Sequence, residues 1–294
     1  MDRLAEDIRL LVGPNADEAR IRAIIEKASQ TQNTNFHHEL LAPFRNLKIA
    51  FVVVDFQNDF VCGSLSIKNG QAGQDPSDAI PVLNRILRED SAALVVYTLD
   101  WHPITHISFL ENCRDSDREL SAVCQMKEIK LFDEVTFDAP DCRQVLYPTH
   151  CVQGSWGSEL DPRLHIVEYP RYIMKGTSVL VDSYSAFQDN KRGHKTNLEE
   201  TLRSEGITAV IGCGLAYEIC VAATLRDSAD LGFYTAILTD ASKGLDLDNI
   251  AAADVEFAKK NIAKLSESEA SSTLRKETVP IEWIEKRADE LLKN

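Results

Sequence analysis

The sequence predicts a three-layer α/β/α fold with a central, mostly parallel, doubly wound sheet and a short N-terminal helical extension. Three observations carry this. Nearly continuous apolar runs of strand length recur along the chain and end in acids. Segments of helical period separate those runs, the pattern of strands joined by crossover helices. The first 46 residues show helical period with no such run.

Residues 1–46 read as two short helices. Leu4, Ile8 and Leu11, then Ile21, Ile24 and Ile25, recur at helical spacing among polar residues, and Gly13-Pro14-Asn15 separates them as a turn. No oxygen-ligand pattern of a calcium loop is present. Two readings stay open: an appended helical piece, or an arm at an interface of a homo-oligomer. A boundary at 46/47 sets this segment apart from one domain running over 47–294.

From Lys48 the pattern changes. KIAFVVVDF is a nearly continuous apolar run, as in a central parallel strand buried on both faces. Residues 78–89 read as a helix, ALVVYTLD (93–100) as a second strand, and TAVIGC (208–213) as a third. Residues 216–231 fit a helix, and YTAILTD (234–240) is a fourth strand ending in Asp. Ligands of such sheets bind beyond the carboxyl ends of the strands, so the polar residues there become site candidates. Residues 103–170 have weak periodicity, several cysteines and scattered prolines; so long a stretch is more often functional than idle. The tail reads as a helix over 248–264, a mobile polar linker (SESEASST), and an amphipathic helix over 281–292.

With 44% hydrophobic and 27% charged residues, the composition is that of a soluble globular protein. Lys and Arg number 32 against 46 acids, and the resulting charge of −14 repels phosphate backbones and anionic membranes. Neither nucleic acid nor a membrane is expected as a partner. No apolar run reaches the ~18 residues of a membrane helix. The N-terminus MDRLAEDIRLLVG has neither a basic start nor a continuous apolar core, so no signal peptide is read. The seven cysteines are then expected as reduced thiols in a cytoplasmic, or also nuclear, setting.

Four constellations sit at or beside strand ends. Asp55, in Asp55-Phe56-Gln57-Asn58-Asp59-Phe60 after the first strand, can serve as a general base or as a cap. Asp100-Trp101-His102-Pro103 follows the second strand. Asp and His at i and i+2 reach the same side of extended chain, and His150 in the long loop can add a third donor. Such a set suits Zn²⁺, Fe²⁺ or Mn²⁺. Lys175 ends an apolar run, either snorkelling to solvent or held inward as a fixed cation. Cys220 follows a glycine-bearing turn, Gly212-Cys213-Gly214-Leu215-Ala216, at the start of a helix. Free amides there would lower its thiol pKa and bind an oxyanion. Cys213, inside a strand, fits an inert buried cysteine.

DFQNDF, DWHPITH, PTHCVQG, KGT and GLAYEICVAAT occur in one order between Lys48 and Leu245, about two thirds of the chain. In this the sequence resembles the isochorismatase-like cysteine hydrolases, and within them the nicotinamidase (pyrazinamidase) family. The resemblance implies a catalytic triad of Asp55, Lys175 and Cys220, and one divalent transition metal held by Asp100, His102 and His150. Zinc is the expected metal, with iron and manganese as alternatives. It also implies a cis Leu215–Ala216 peptide, oxyanion donors at the Ala216 and Cys220 amides, and Phe60, Tyr147 and Tyr184 around the substrate ring. His106 stays outside the metal's ligands. The implied reaction converts nicotinamide, the small-molecule partner, to nicotinate and ammonia through a Cys220 thioester, feeding NAD salvage. Two departures stand out: Tyr217-Glu218-Ile219 replaces a frequent Thr-Asp-Tyr, and Tyr147 stands where Trp is common. They bear on substrate fit more than on reaction type.

Three other readings compete. Relatives acting on ureides or other small amides keep the triad but generally lack the Asp-x-His set. A vinyl-ether hydrolase of the isochorismatase type does not need the cysteine. A catalytically silent binding or scaffold protein would not need the whole triad. A dinucleotide-binding domain fails because no G-x-G-x-x-G follows the first strand.

Overall fold

The structure, a computed structural model, describes residues 2–14 and 16–293; Asn15 of the expected turn lies outside them. Helices α1 (Asp2–Val12), α2 (Glu18–Gln30) and α3 (Phe36–Leu41) precede strand β1 (Ile49–Val54). A single turn, α4 (Asn58–Val61), and α5 (Ile80–Arg88) lead to β2 (Leu94–Asp100). The middle stretch holds β3 (Glu119–Leu120), α6 (Ala122–Gln125), β4 (Glu134–Ala139), β5 (Cys142–Val145) and β6 (Arg171–Lys175). Then come α7 (Leu198–Ser204), β7 (Ala209–Leu215), α8 (Ala222–Asp230) and β8 (Tyr234–Lys243). The chain closes with α9 (Leu247–Lys259), β9 (Ala263–Leu265), α10 (Glu267–Leu274) and α11 (Ile281–Lys293).

The main sheet has the order β6-β2-β1-β7-β8-β9, with every neighbouring pair parallel. Strand alternation sorts its side chains into two layers. Phe51, Tyr97 and Ile211 face one way, among α5, α10, α11 and the N-terminal helices. Val52, Val96 and Val210 face the other, among α7, α8 and α9. This is the three-layer doubly wound arrangement, and every residue of β1 is buried in it. From β1 the chain steps outward through β2 to β6, then returns to β7 on the opposite side of β1. That reversal opens a crevice at the carboxyl ends of β1 and β7.

The first 46 residues share the first layer's core. Leu4, Ile8, Ile21, Ile24, Leu40 and Phe44 belong to the same apolar cluster as Trp283 and Ile284 of α11. Arg20 reaches Glu282 at 2.6 Å and Glu285 at 2.5 Å, joining the two chain ends across the surface. The apolar stripes of α1 and α2 are therefore used within the chain, as an appended helical piece would use them.

Two expectations for the tail change. Residues 266–273 form no mobile linker: Ser266 and Glu269 make a capping box, and Ala270 and Leu274 of α10 bury in the first layer. The helix expected over 248–264 stops at Lys259, and Ala263–Leu265 pairs with β8 as a sixth strand. In the middle stretch, β3, β4 and β5 form a small antiparallel sheet over a cluster that includes Ile107, Phe137 and Leu146. No described helix is long and apolar enough to cross a membrane.

Candidate active site

Four strand ends converge on the crevice. Asp55 follows β1, Asp100 ends β2, Lys175 ends β6, and Cys220 lies in the turn after β7. Asp100 and Lys175 are register partners on adjacent strands, which places their side chains on the same side of the sheet. Asp55 adopts φ 50°, a left-handed conformation uncommon outside glycine. Thr98 of β2 holds it there: the Asp55 amide reaches the Thr98 carbonyl at 3.2 Å, and the Thr98 hydroxyl donates to Asp55 Oδ1 at 2.6 Å.

Lys175 does not snorkel. It is 1% exposed, and its ammonium contacts Asp55 Oδ2 at 2.8 Å, Asp100 Oδ1 at 2.5 Å, the Ser183 carbonyl at 2.9 Å and Cys220 Sγ at 3.4 Å. An apolar run leads to an interior cation because two carboxylates are buried beside it; a lone buried ammonium would be costly. Ligand atoms of Asp55, Asp100 and Cys220 all lie within 4.8 Å of one another. Asp55 Oδ2 touches the ammonium but receives no aligned hydrogen bond among the described residues, which leaves a lone pair for the thiol proton.

Burial pushes the Asp55 carboxyl up to about 6, against the pull of Lys175 and with the push of Asp100. Burial opposes charge on Asp100 too, yet Lys175 and His102 overcome it and hold that carboxyl below its ordinary range. For Cys220 the expectation of a lowered thiol pKa is corrected. Burial pushes the thiol well up, Asp55 and Asp100 add to this, and Lys175 only partly offsets them. The resting pair is a neutral thiol facing a carboxylate.

The backbone around Cys220 begins with a π-type turn over Tyr217–Val221, and α8 continues from Ala222. The Leu215–Ala216 peptide is cis. The Ala216 carbonyl accepts from the Ile219 and Val221 amides at 3.1 Å each, which fixes the turn around the sulfur. Gly212 lets α8 approach, because a Cβ there would meet Leu225 Cδ2 at 2.7 Å. Cys213 is fully buried on the opposite layer, pushed up by burial alone, as an inert core thiol should be.

Asp100, His102 and His150 are gathered with ligand atoms within 4.8 Å of one another, all buried. His102 Nδ1 lies 2.8 Å from the Gly176 carbonyl, and His150 Nδ1 lies 2.8 Å from the Pro148 carbonyl. A carbonyl only accepts, so each Nδ1 carries a hydrogen and each Nε2 is the nitrogen turned to the shared site, the orientation seen in metal-binding histidines. Gly176 must be glycine: its φ is 64°, and a Cβ would strike the His102 ring. The donor set of one carboxylate and two imidazoles fits a divalent transition metal. His106 stacks on His102 with ring centroids 4.0 Å apart and engages the Ser108 hydroxyl at 2.7 Å.

Phe60, Tyr147, Tyr184, Ala216 and Cys220 all line one cavity with Asp100 and His150. Its free space is narrow, about 30 Å³. The tyrosine hydroxyls stand 3.4 Å apart, and the Phe60 ring lies 5.6 Å from His150. Every residue singled out in the sequence for the site is thus brought together. The sequence reading missed Thr98, Gln57 as a support, and the apolar walls Leu65, Ile67, Ile219 and Leu245. Gln57 accepts from the Asp100 amide at 2.8 Å and donates to the Asp100 carbonyl at 2.7 Å, so it fixes the end of β2. Thr98 was legible as a polar residue two before Asp100 in an otherwise apolar strand; the walls carried no signal beyond hydrophobicity.

The chain is similar to known proteins in both sequence and fold. Residues 49–270 match the Isochorismatase domain model. The nicotinamidase of Escherichia coli is 33% identical over 201 residues, covering 67% of this chain and 84% of that enzyme. The structure of a yeast nicotinamidase bound to the inhibitor nicotinaldehyde superposes with a TM-score of 0.63 at 28% identity, over 74% of this chain and 99% of the other. A Pyrococcus horikoshii pyrazinamidase in complex with zinc gives 0.57 at 30% identity, over 74% and 99%. This chain belongs to the Isochorismatase-domain family, among its nicotinamidases.

Proposed function

We propose that the protein hydrolyses nicotinamide to nicotinate and ammonia through a Cys220 thioester, a reaction that feeds NAD salvage. The observation that carries this is the Lys175 ammonium lying between Asp55 and Cys220, at 2.8 and 3.4 Å, beside the Asp100–His102–His150 donors. Those three residues would hold one divalent metal, zinc before iron or manganese, which when bound would supply a Lewis acid to orient the pyridine ring. The zinc complex of the Pyrococcus relative supports that choice.

The chain's own residues do the rest. Cys220 Sγ attacks the carboxamide carbon as its proton passes to Asp55 Oδ2. A carboxyl raised to about 6 is a better base than an ordinary aspartate and remains mostly ionised at neutral pH. The Ala216 and Cys220 amides receive the developing oxyanion. Asp55 returns the proton to the amide nitrogen, the C–N bond breaks, and ammonia leaves. A water deprotonated by the same carboxylate then adds to the thioester, and collapse expels the sulfur and frees nicotinate. Lys175 stays protonated throughout and offsets negative charge on both partners. Phe60, Tyr147 and Tyr184 enclose the ring.

Ammonia release from nicotinamide, followed with and without a chelator, tests the reading. Metal-replete protein that releases no ammonia sinks it.

A further inference from the structure

We infer that Glu218 is a positioning residue that sets ring-size selectivity, by clipping the Leu245 wall of the cavity to the turn that carries Cys220. This rests on the amidase reading above.

Glu218 stands two residues before Cys220, in the turn that carries it. Its Oε1 accepts from the Leu245 and Asp246 amides, each at 2.9 Å. One carboxylate oxygen thereby ties the β8–α9 loop to the nucleophile turn. The adjoining backbone is shaped for this approach, since a Cβ on Gly244 would collide with the Glu218 carboxylate. The tie continues outward. The Leu245 carbonyl accepts from Ala72 at 2.7 Å, the Gly244 amide donates to Gln74 Oε1 at 2.8 Å, and Gly70 leaves room for Leu245, whose carbonyl oxygen a Cβ would meet at 2.6 Å. Glu218, the 244–246 segment, Ala72 and Gln74 thus form one hydrogen-bonded unit.

Leu245 is a partition. With Leu65, Tyr147 and Ile219 it lines both the reactive cavity and an outer groove of about 840 Å³. The inner space is narrow, so the rings it admits depend on where this wall stands. With the ring nitrogen toward the Asp100–His102–His150 donors and the carboxamide at Cys220, the ring's 5-position, meta to both, points away from both anchors. A bulky substituent there needs the outer groove, which the clipped wall closes off. The enzyme should therefore favour bare pyridine carboxamides over 5-substituted ones.

The test compares kcat/KM for nicotinamide and for 5-phenylnicotinamide. The wild type should favour nicotinamide. Glu218→Ala frees the wall, and Leu245→Ala shortens it with the clip intact; each should shrink the preference about tenfold, the lower end of what a pocket wall confers. Glu218→Gln keeps an oxygen that accepts from both amides, and should keep the wild-type preference. A folded Glu218→Ala or Leu245→Ala enzyme with the wild-type preference overturns the proposal, as does a Glu218→Gln enzyme that loses it. If Glu218→Ala fails to fold, the other two variants still decide. Wild-type protein without nicotinamide turnover would instead overturn the amidase reading.

Discussion

The Thr98 hydroxyl donates to Asp55 Oδ1 at 2.6 Å, which leaves Oδ2 to face Lys175 and the Cys220 sulfur. A donor to the charged form lowers a carboxyl pKa, so Thr98 works against the upward push of burial that brings Asp55 to about 6. Asp55 must be ionised to accept the thiol proton. The value of kcat/KM should therefore fall as pH drops through about 6, as Asp55 gains a proton. Thr98→Val keeps the shape and removes the donor, so this acid limb should move to higher pH. A pH profile of kcat/KM for both proteins checks it, and coincident limbs would remove Thr98 from the account.

Two buried cysteines lie close in sequence yet face opposite layers. Cys220→Ala should abolish ammonia release and leave circular dichroism unchanged. Cys213→Ala should retain turnover and lose on the order of 1 kcal/mol of stability, the usual scale of a core truncation. Wild-type ammonia release by the Cys220 variant would refute the covalent route.

On the proposed mechanism, removing the metal should be reversible and should raise KM more than it lowers kcat, because the ring would lose its anchor while the thiol stays in place. His102→Ala deletes an imidazole whose other nitrogen is anchored on the Gly176 carbonyl at 2.8 Å. Elemental analysis should show loss of the metal in this variant, and full occupancy would exclude His102 as a ligand.

How much was legible beforehand depended on range. The runs at 48–56 and 93–100 announce buried parallel strands because both faces are covered, and their terminal acids marked the crevice. Cys220, Asp55 and the Asp100–His102 pair were readable for the same reason: each is a reactive group where an apolar element stops. Lys175 was ambiguous, because one lysine at a strand end snorkels unless buried acids await it, and those acids come from β1 and β2. The thiol's shift was read in the wrong direction because local helix position was weighed and long-range burial was invisible. The strand Ala263–Leu265 was missed for its length, three residues whose only signal is pairing with β8. The capping box at Ser266 was local and legible, and its polar composition masked it.

Lys175 gives the sharpest test of the electrostatics. It is the one cation touching Asp55, Asp100 and Cys220 among the described residues, and its side chain is fully buried. Burial pushes the Cys220 thiol well up, and Lys175 is the leading influence in the other direction. The same ammonium pulls the Asp55 carboxyl down. Lys175→Met keeps most of the volume and removes the charge, so both groups should hold their protons to higher pH. The onset of Cys220 alkylation should accordingly move upward from the wild-type profile. Because Asp55 and Cys220 exchange one proton, the observed midpoint belongs to the pair. Turnover should fall by orders of magnitude while KM changes less, since the metal donors and aromatic walls still hold the ring. The variant also leaves buried carboxylates without their partner, a change that typically costs about 3–5 kcal/mol, so its melting temperature should drop. Thermal denaturation separates that loss from the catalytic one. If the folded variant alkylates along the wild-type pH profile, the ammonium has no part in setting the thiol's reactivity, and its role is confined to neutralising the carboxylates.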